Sequence, residues 1–168
     1  VKKIPLSGKR GKGKFALVDD ADYEELSKFK WHLAAKEYAT RSFVKGDKTC
    51  FIRMHRQITG FDLTDHHDGD GLNNQRYNLR DATNSKNTMN SKKRKNCTSK
   101  YKGVSWKERD DRYYSSIVFE GKSIHLGTFK KDEEHLAALA YNSAAKEMFG
   151  EFARLNDVIT CQHTGGKL

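Results

Sequence analysis

The sequence predicts an α+β fold assembled from small modules, and three observations carry that expectation. The 168 residues include only 36% hydrophobic side chains, and the mean hydropathy is -0.88, which is low for one compact globule. Aromatic residues at 11% argue against a disordered chain. A polar, basic stretch from Asn90 to Gly103 separates two regions of different pattern.

The elements follow in order. "VKKIPLSGKRGKGK" carries six Lys/Arg and no acid, with glycines that oppose a regular helix, so it reads as a flexible basic arm. "FALV" is strand-like, and "DDADYEELSKFKW" reads as a helix with Asp20 as N-cap and Tyr23, Leu26 and Phe29 at helical spacing. The acids Asp19, Asp20 and Asp22 are read as helix capping rather than as a metal site. "WHLAA" and "EYATRSFV" look like strands, and "TCFIRMHRQITGF" like a strand that contains Cys50 and runs into a helix.

After the basic stretch, "YKGVSW", "RYYSSIVFE" and "KSIHLGTF" are three strand candidates, the last two joined as a hairpin at Glu120-Gly121. Tyr113, Ile117 and Phe119 share one face of the middle strand, and Arg112, Tyr114 and Ser116 share the other, leaving one face free to touch a partner. "DEEHLAALAYNSAAKEMFG" follows as a helix with Ala137, Ala140, Tyr141, Ala144 and Met148 as its apolar stripe and Gly150 at its end. The tail "DVITCQHTGGKL" reads as disordered, with His163 solvated.

Charge narrows the partner. With 32 Lys+Arg against 22 Asp+Glu, the net charge is +10 and the pI about 9.5, so a polyanion is expected, and nucleic acid leads because each neutralised phosphate releases a counterion. No apolar run approaches the roughly 18 to 20 residues of a membrane span, and no signal-peptide core is visible, so a soluble intracellular protein is expected. Cys50, Cys97 and Cys161 are odd in number and lack any C-x-x-C spacing; reduced thiols and no zinc are expected.

The chemistry concentrates in "TDHHDGDGLNNQRYNLRDATNSKN", Thr64 to Asn87. Phosphodiester hydrolysis needs a base for the attacking water and a hard cation on the phosphate oxygens. A histidine supplies the first, and Mg2+ requires only one or two protein oxygens beside phosphate and water. Asp65 and His66 are adjacent and would diverge on an extended strand, but at a strand end they can converge on one ion and its water.

Asp65-His66, Asp68-Gly69, Asn73-Asn74, Asn78-Leu79-Arg80 and Asn87 together resemble the HNH motif of phage-type homing endonucleases, and "MHR" at 54 to 56 matches the segment upstream. The resemblance implies a ββα-metal fold in which His66 is the general base. Asp65 and Asn87 would be metal ligands, and Asn78 the residue that holds the loop. His67, in a usually variable place, stands as the rival base, and His55 reads as a packing or hydrogen-bonding residue.

"YKGVSW", "IHLGTF", "AALAYNSAA" and "GEFARLN" resemble the AP2/ERF DNA-binding domain, from about Thr98 to Asn156. That resemblance implies a three-stranded antiparallel sheet backed by one helix and entering the major groove. Candidate contacts are Lys102, Ser105, Trp106, Lys107, Arg109, Arg112, Tyr114, Ser116, Lys122, Ser123 and His125, with Lys92, Lys93, Arg94 and Lys95 of the linker along phosphates. The plant pattern has arginines at Lys102, Ser105 and Lys107 and tryptophan at His125, so the plant target sequence is not carried over. Trp106 has core as its other reading.

The expected organisation is a basic arm and small α/β region over 1–52, the nuclease core over 53–91, a linker over 92–99, the AP2/ERF-like domain over 100–156 and a tail over 157–168. The expected activity is metal-dependent, sequence-targeted cleavage of double-stranded DNA with Mg2+, or Mn2+ in its place. No small-molecule substrate and no membrane are implied. The resemblance implies a bacterial host cytoplasm during phage infection. A non-catalytic DNA-binding regulator that retains a degenerate nuclease scaffold is the alternative, and no heptad or obvious oligomerisation face distinguishes a nick from a double-strand cut.

Overall fold

The computed structural model describes residues 1–34 and 37–158, which fall into two compact units, Val1–Asn90 and Ser91–Leu168. The expectations for Ala35, for Cys161 and for His163 lie outside the described residues. The class is α+β with several small sheets and short helices. Among the described residues no helix is long and apolar enough to cross a membrane.

The first unit opens on β1 (Lys2–Ser7), β2 (Phe15–Val18), α1 (Asp20–Ser27), β3 (Trp31–Leu33), β4 (Ala39–Lys45) and β5 (Lys48–Arg53). They form one sheet in the order β2-β1-β3-β4-β5, antiparallel except for the parallel pair β1 and β3. The first half of the expected flexible arm is therefore a strand. Lys3, Pro5 and Ser7 face outward while Ile4 and Leu6 alternate inward to 3% and 5% exposure, and the glycines are confined to the turn that leads into β2. Charge along the segment concealed the alternation beneath it.

Ile4, Leu6, Ala16, Val18, Leu26, Trp31, Leu33, Ala39 and Met54 make the core of this unit, with Tyr23 and Phe29 partly buried against it. The Trp31 indole donates to the Leu26 carbonyl at 2.8 Å, so the largest core residue brings no unsatisfied polar atom inside. α2 (Met54–Thr59) follows β5 directly and stops at Gly60, whose φ of 72° closes the helix in the left-handed region. β6 (Thr64–His66), β7 (Leu79–Asp81) and α3 (Asn84–Met89) then form a two-stranded ribbon and a helix, α3 being capped by the Thr83 hydroxyl, which accepts from Lys86 N.

The second unit is a three-stranded antiparallel sheet, β8 (Val104–Lys107), β9 (Arg112–Phe119) and β10 (Lys122–Phe129) in the order β10-β9-β8, packed on α4 (Glu134–Phe149). Glu120 and Gly121 make the hairpin turn with φ of 50° and 76°. The buried seam of α4 is Ala137, Ala138, Tyr141, Ala144, Ala145 and Phe149, so the expected stripe is rotated, with Ala140 and Met148 only half-buried. Small alanines let the helix approach until Gly103, at φ 77°, lies under the Tyr141 ring.

Candidate active site and nucleic-acid face

In the β6–β7 ribbon Asp65 is paired with Arg80 and His66 with Leu79, so strand alternation sends the two side chains to opposite faces. The register puts Arg80 where it pairs with the carboxylate: its Nε is 2.9 Å and its Nη2 2.7 Å from Asp65 Oδ2. Asn90, the C-cap of α3, donates its amide to both Asp65 oxygens at 3.1 and 3.0 Å and to the His66 carbonyl at 2.8 Å. Asp65 is thus a carboxylate fixed from two elements.

The His66 ring lies on the other face, 4% exposed, against Tyr38 at 5.6 Å and His55 at 4.9 Å between ring centroids. Burial holds the His66 pKa below the ordinary histidine value, opposed by Asn74 and by the carboxylates of Asp68, Asp65 and Asp70. Asn74 Oδ1 lies beside the ring, although no hydrogen bond of good geometry joins them, and both Oδ1 and His66 Nε2 are buried without a hydrogen-bond partner. His55, 5% exposed and in edge contact with both His66 and Tyr38, is a packing residue whose pKa burial pushes down to about 3, with the His66 charge as the next cause. His67 turns to solvent, and its backbone N–H donates to the Asn78 carbonyl at 2.9 Å.

The asparagines stitch the loop. Asn78, 1% exposed, donates to Asp68 Oδ1 at 3.0 Å and to the Asn73 carbonyl at 2.8 Å, and accepts from the Asp68 N–H at 3.0 Å. Asn73 donates to Asp68 Oδ2 at 2.7 Å, and Asn74 to the Leu72 carbonyl at 3.1 Å. Amides serve here because each can donate and accept at once within a buried turn. Together these amides and the Asp70 N–H hold the Asp68 carboxyl below its usual range despite its partial burial.

The sheet of the first unit holds this loop from outside. Leu17 N donates to the Leu72 carbonyl and Asn74 N to the Leu17 carbonyl, each at 2.8 Å. Asp19, the N-cap of α1, makes no side-chain cap; it accepts from the Arg76 N–H at 2.8 Å and from Gln75 Nε2 at 3.1 Å, while Asp22 takes the Arg76 guanidinium at 2.8 and 2.6 Å. Asp19 and Asp22 therefore serve loop donors 54 to 57 positions away instead of capping the helix through their side chains. These bonds also make residues 1–90 one unit with no division at residue 52.

Asn87 lies on α3 one turn before Asn90, so the two share the side of the helix that meets Asp65. Asp65 Oδ1 and the Asn87 amide oxygen are hard donors of the kind Mg2+ takes, and among the described residues no group of three or more His, Cys, Asp or Glu forms a metal cage. One carboxylate and one amide oxygen would suit a cation that completes its shell with water and phosphate. Asn90, Arg80 and Asn74 were absent from the expected site. Asn90 was concealed at the start of a basic run, and Arg80 is legible only once the strand register is known.

On the second unit, the cross-strand pairs put Ser105, Lys107, Arg112, Tyr114, Ser116, Ser123 and His125 on the face away from α4. Lys107 Nζ stands 4.0 Å from the Tyr114 ring centroid, and the Tyr114 hydroxyl donates to Asp110 at 2.8 Å. Four expected members of this face lie elsewhere. Trp106 pairs with Tyr113 on the helix side, ring centroids 4.7 Å apart; Lys122 aligns with Phe119 at the hairpin turn. Lys102 turns its ammonium to the Ser91 carbonyl at 2.8 Å, where burial and then Arg154 lower its pKa to about 8. Arg109 sits in the exposed β8–β9 connection, bonded to Asp110, and Lys92, Arg94 and Lys95 are exposed, with Lys93 half-buried.

Over 158 residues, 89% of this chain and 78% of the relative, the sequence is 34% identical to an uncharacterized HNH endonuclease of Acanthamoeba polyphaga mimivirus. Over 90 residues, 54% of this chain and 72% of the relative, it is 34% identical to Protein 3.8 of Escherichia phage T7. No family model and no solved structure matches.

Proposed function

The chain belongs to the HNH endonuclease family, and from that premise we propose that it is a metal-dependent, sequence-targeted DNA endonuclease of the homing type. The observation that supports this most is the ββα unit in which Asp65, His66, Asn78 and Asn87 stand at the spacing of the motif, with Asn78 bracing the loop. Asp65 and Asn87 would hold one Mg2+, or Mn2+ in its place, and that ion supplies charge stabilisation to the phosphate and the departing oxygen.

His66 takes the proton of the attacking water. Its depressed pKa keeps the ring neutral and so ready to accept at neutral pH. At 4% exposure the ring offers only a narrow opening, so the scissile phosphate has to be seated there before the water is in reach. Water oxygen bonds to phosphorus as the P–O3′ bond breaks, and the 3′ oxygen leaves with a proton from solvent, giving 5′-phosphate and 3′-hydroxyl ends. Arg80 and Asn90 hold the Asp65 carboxylate in one orientation throughout.

The second unit grips DNA in the manner of an AP2/ERF domain. Its support is the three-stranded sheet with Lys107, Arg112, Tyr114, Ser116 and His125 on the face away from α4. The setting of this reading is an infected bacterial cytoplasm.

The test is cleavage of supercoiled plasmid by wild type and His66→Ala, each with Mg2+ or EDTA. Metal-dependent nicked or linear product, reduced roughly a hundred- to ten-thousand-fold in His66→Ala, is expected. A protein that shifts DNA in a gel yet never cuts with Mg2+ or Mn2+ leaves the DNA-binding regulator as the better account.

A further inference from the structure

The β4–β5 hairpin carries apolar side chains that the core does not use. Val44 is 76% exposed, Phe51 67% and Phe43 37%, although β-branched and aromatic residues in a two-stranded ribbon normally gain by burial. Charge surrounds them: residues 39–53 hold Arg41, Lys45, Lys48 and Arg53 against the single acid Asp47.

The register sorts these residues. Thr40 pairs with Arg53, Ser42 with Phe51 and Val44 with Thr49, so these six share one face; Lys45 and Lys48 are paired at the tip on the other. The first face leads to the catalytic ring. Arg53 stands 5.1 Å over Tyr38, and Tyr38 lies 5.6 Å from His66. From Arg53 to the tip the strand runs roughly 17 Å, about half a turn of duplex DNA.

We infer that this hairpin is a DNA-gripping arm that lays its Ser42, Val44, Thr49, Phe51 and Arg53 face along the duplex beside the scissile phosphate. The inference rests on the nuclease reading and adds to it a substrate contact within the first unit. Phosphates complement Arg53 on this face, hydroxyls at 42 and 49 suit backbone contact, and Val44 and Phe51 supply the apolar surface that packs on sugars or wedges against a base step. A second copy of the chain is the poorer occupant, because two such hairpins would bring like charges together.

The experiment measures affinity for a fluorescein-labelled random-sequence duplex in EDTA, and plasmid cleavage in Mg2+, for wild type, Val44→Ser/Phe51→Ser and Arg53→Gln. These positions are exposed, so thermal midpoints stay near wild type. Each variant is expected to bind about tenfold more weakly and to lose kcat/KM in parallel, with a shallower salt slope for Arg53→Gln alone. Unchanged affinity and cleavage would overturn the arm, as would a change confined to sedimentation, which would assign the face to a second copy. A wild type that binds but never cuts overturns the nuclease reading while leaving the binding comparison to decide the arm.

Discussion

The Asn90 amide reaches Asp65 Oδ2 at 3.0 Å and the His66 carbonyl at 2.8 Å, joining the C-cap of a helix to the two residues at the centre of the candidate site. One buried side chain thereby fixes the distance from α3, which carries Asn87, to β6, which carries Asp65. A carboxylate aimed this way loses less on ordering when it takes a ligand.

Asn90→Ala should therefore lower cleavage by about ten- to a hundred-fold and stability by roughly 1–3 kcal/mol, because Asp65 keeps only Arg80. Asn90→Asp, which sets a second carboxylate against the first, should be worse on both counts. Plasmid cleavage and urea unfolding measure the pair; equal activity in all three proteins would deny Asn90 its positioning role.

His55 should make stability depend on pH. Its folded pKa of about 3 lies below the ordinary 6.5, so between these values the unfolded chain binds the extra proton and stability rises with pH. The contribution is complete above pH 6.5 and is lost as pH falls toward 3, with a slope of up to about 1.4 kcal/mol per pH unit. His55→Phe keeps a flat ring in the cage and should flatten the thermal midpoint against pH over the acid range; an unchanged slope would assign it to another group.

Asp19→Ala removes the acceptor for the Arg76 N–H and the Gln75 amide and should cost roughly 1–3 kcal/mol. Asp19→Asn keeps an oxygen but loses the charge, and should recover part of that. The Arg76 N–H is the largest cause that holds the Asp19 carboxyl below its usual value, so the interaction persists through mildly acid pH and is lost as pH falls through that lowered value. Exchange of the Arg76 amide proton, read by NMR, should quicken in Asp19→Ala and report the loop directly.

Gly103→Ala places a methyl group in the Tyr141 ring at a positive φ and should destabilise the second unit by about 2–4 kcal/mol. Gly46→Ala, at φ 59° with open space around it, has only the backbone strain and should cost about 1 kcal/mol. Denaturant midpoints separate the two, and equal shifts would mean the helix can yield at Gly103.

The motif from Thr64 to Asn87 was legible because its chemistry is written at fixed spacing, and Asn78 takes the loop-holding place expected of it. The sheet and helix of the second unit were legible for a different reason: clean alternation along Arg112–Phe119 and a helical stripe after it. What escaped was long-range. Local pattern reports the charge of Lys2 and Lys3, but not that Ile4 and Leu6 have β2 and β3 to pack beside. Asp19 and Asp22 looked like capping residues because their partners are more than fifty positions distant. Trp106 and Lys102 were misplaced by one step of strand alternation and by a carbonyl at Ser91 that only folding brings near.

The bonds between Leu17 and the Leu72–Asn74 segment imply that the nuclease motif is not a transferable cassette. Grafted into another protein from Thr64 to Asn90 alone, it would arrive with its motif residues intact and its turn unsupported. A gene rearrangement that carries the motif to a new host protein has to carry the preceding sheet as well, because drift at Leu17 would leave the Leu72–Asn74 turn without its hydrogen-bond partners.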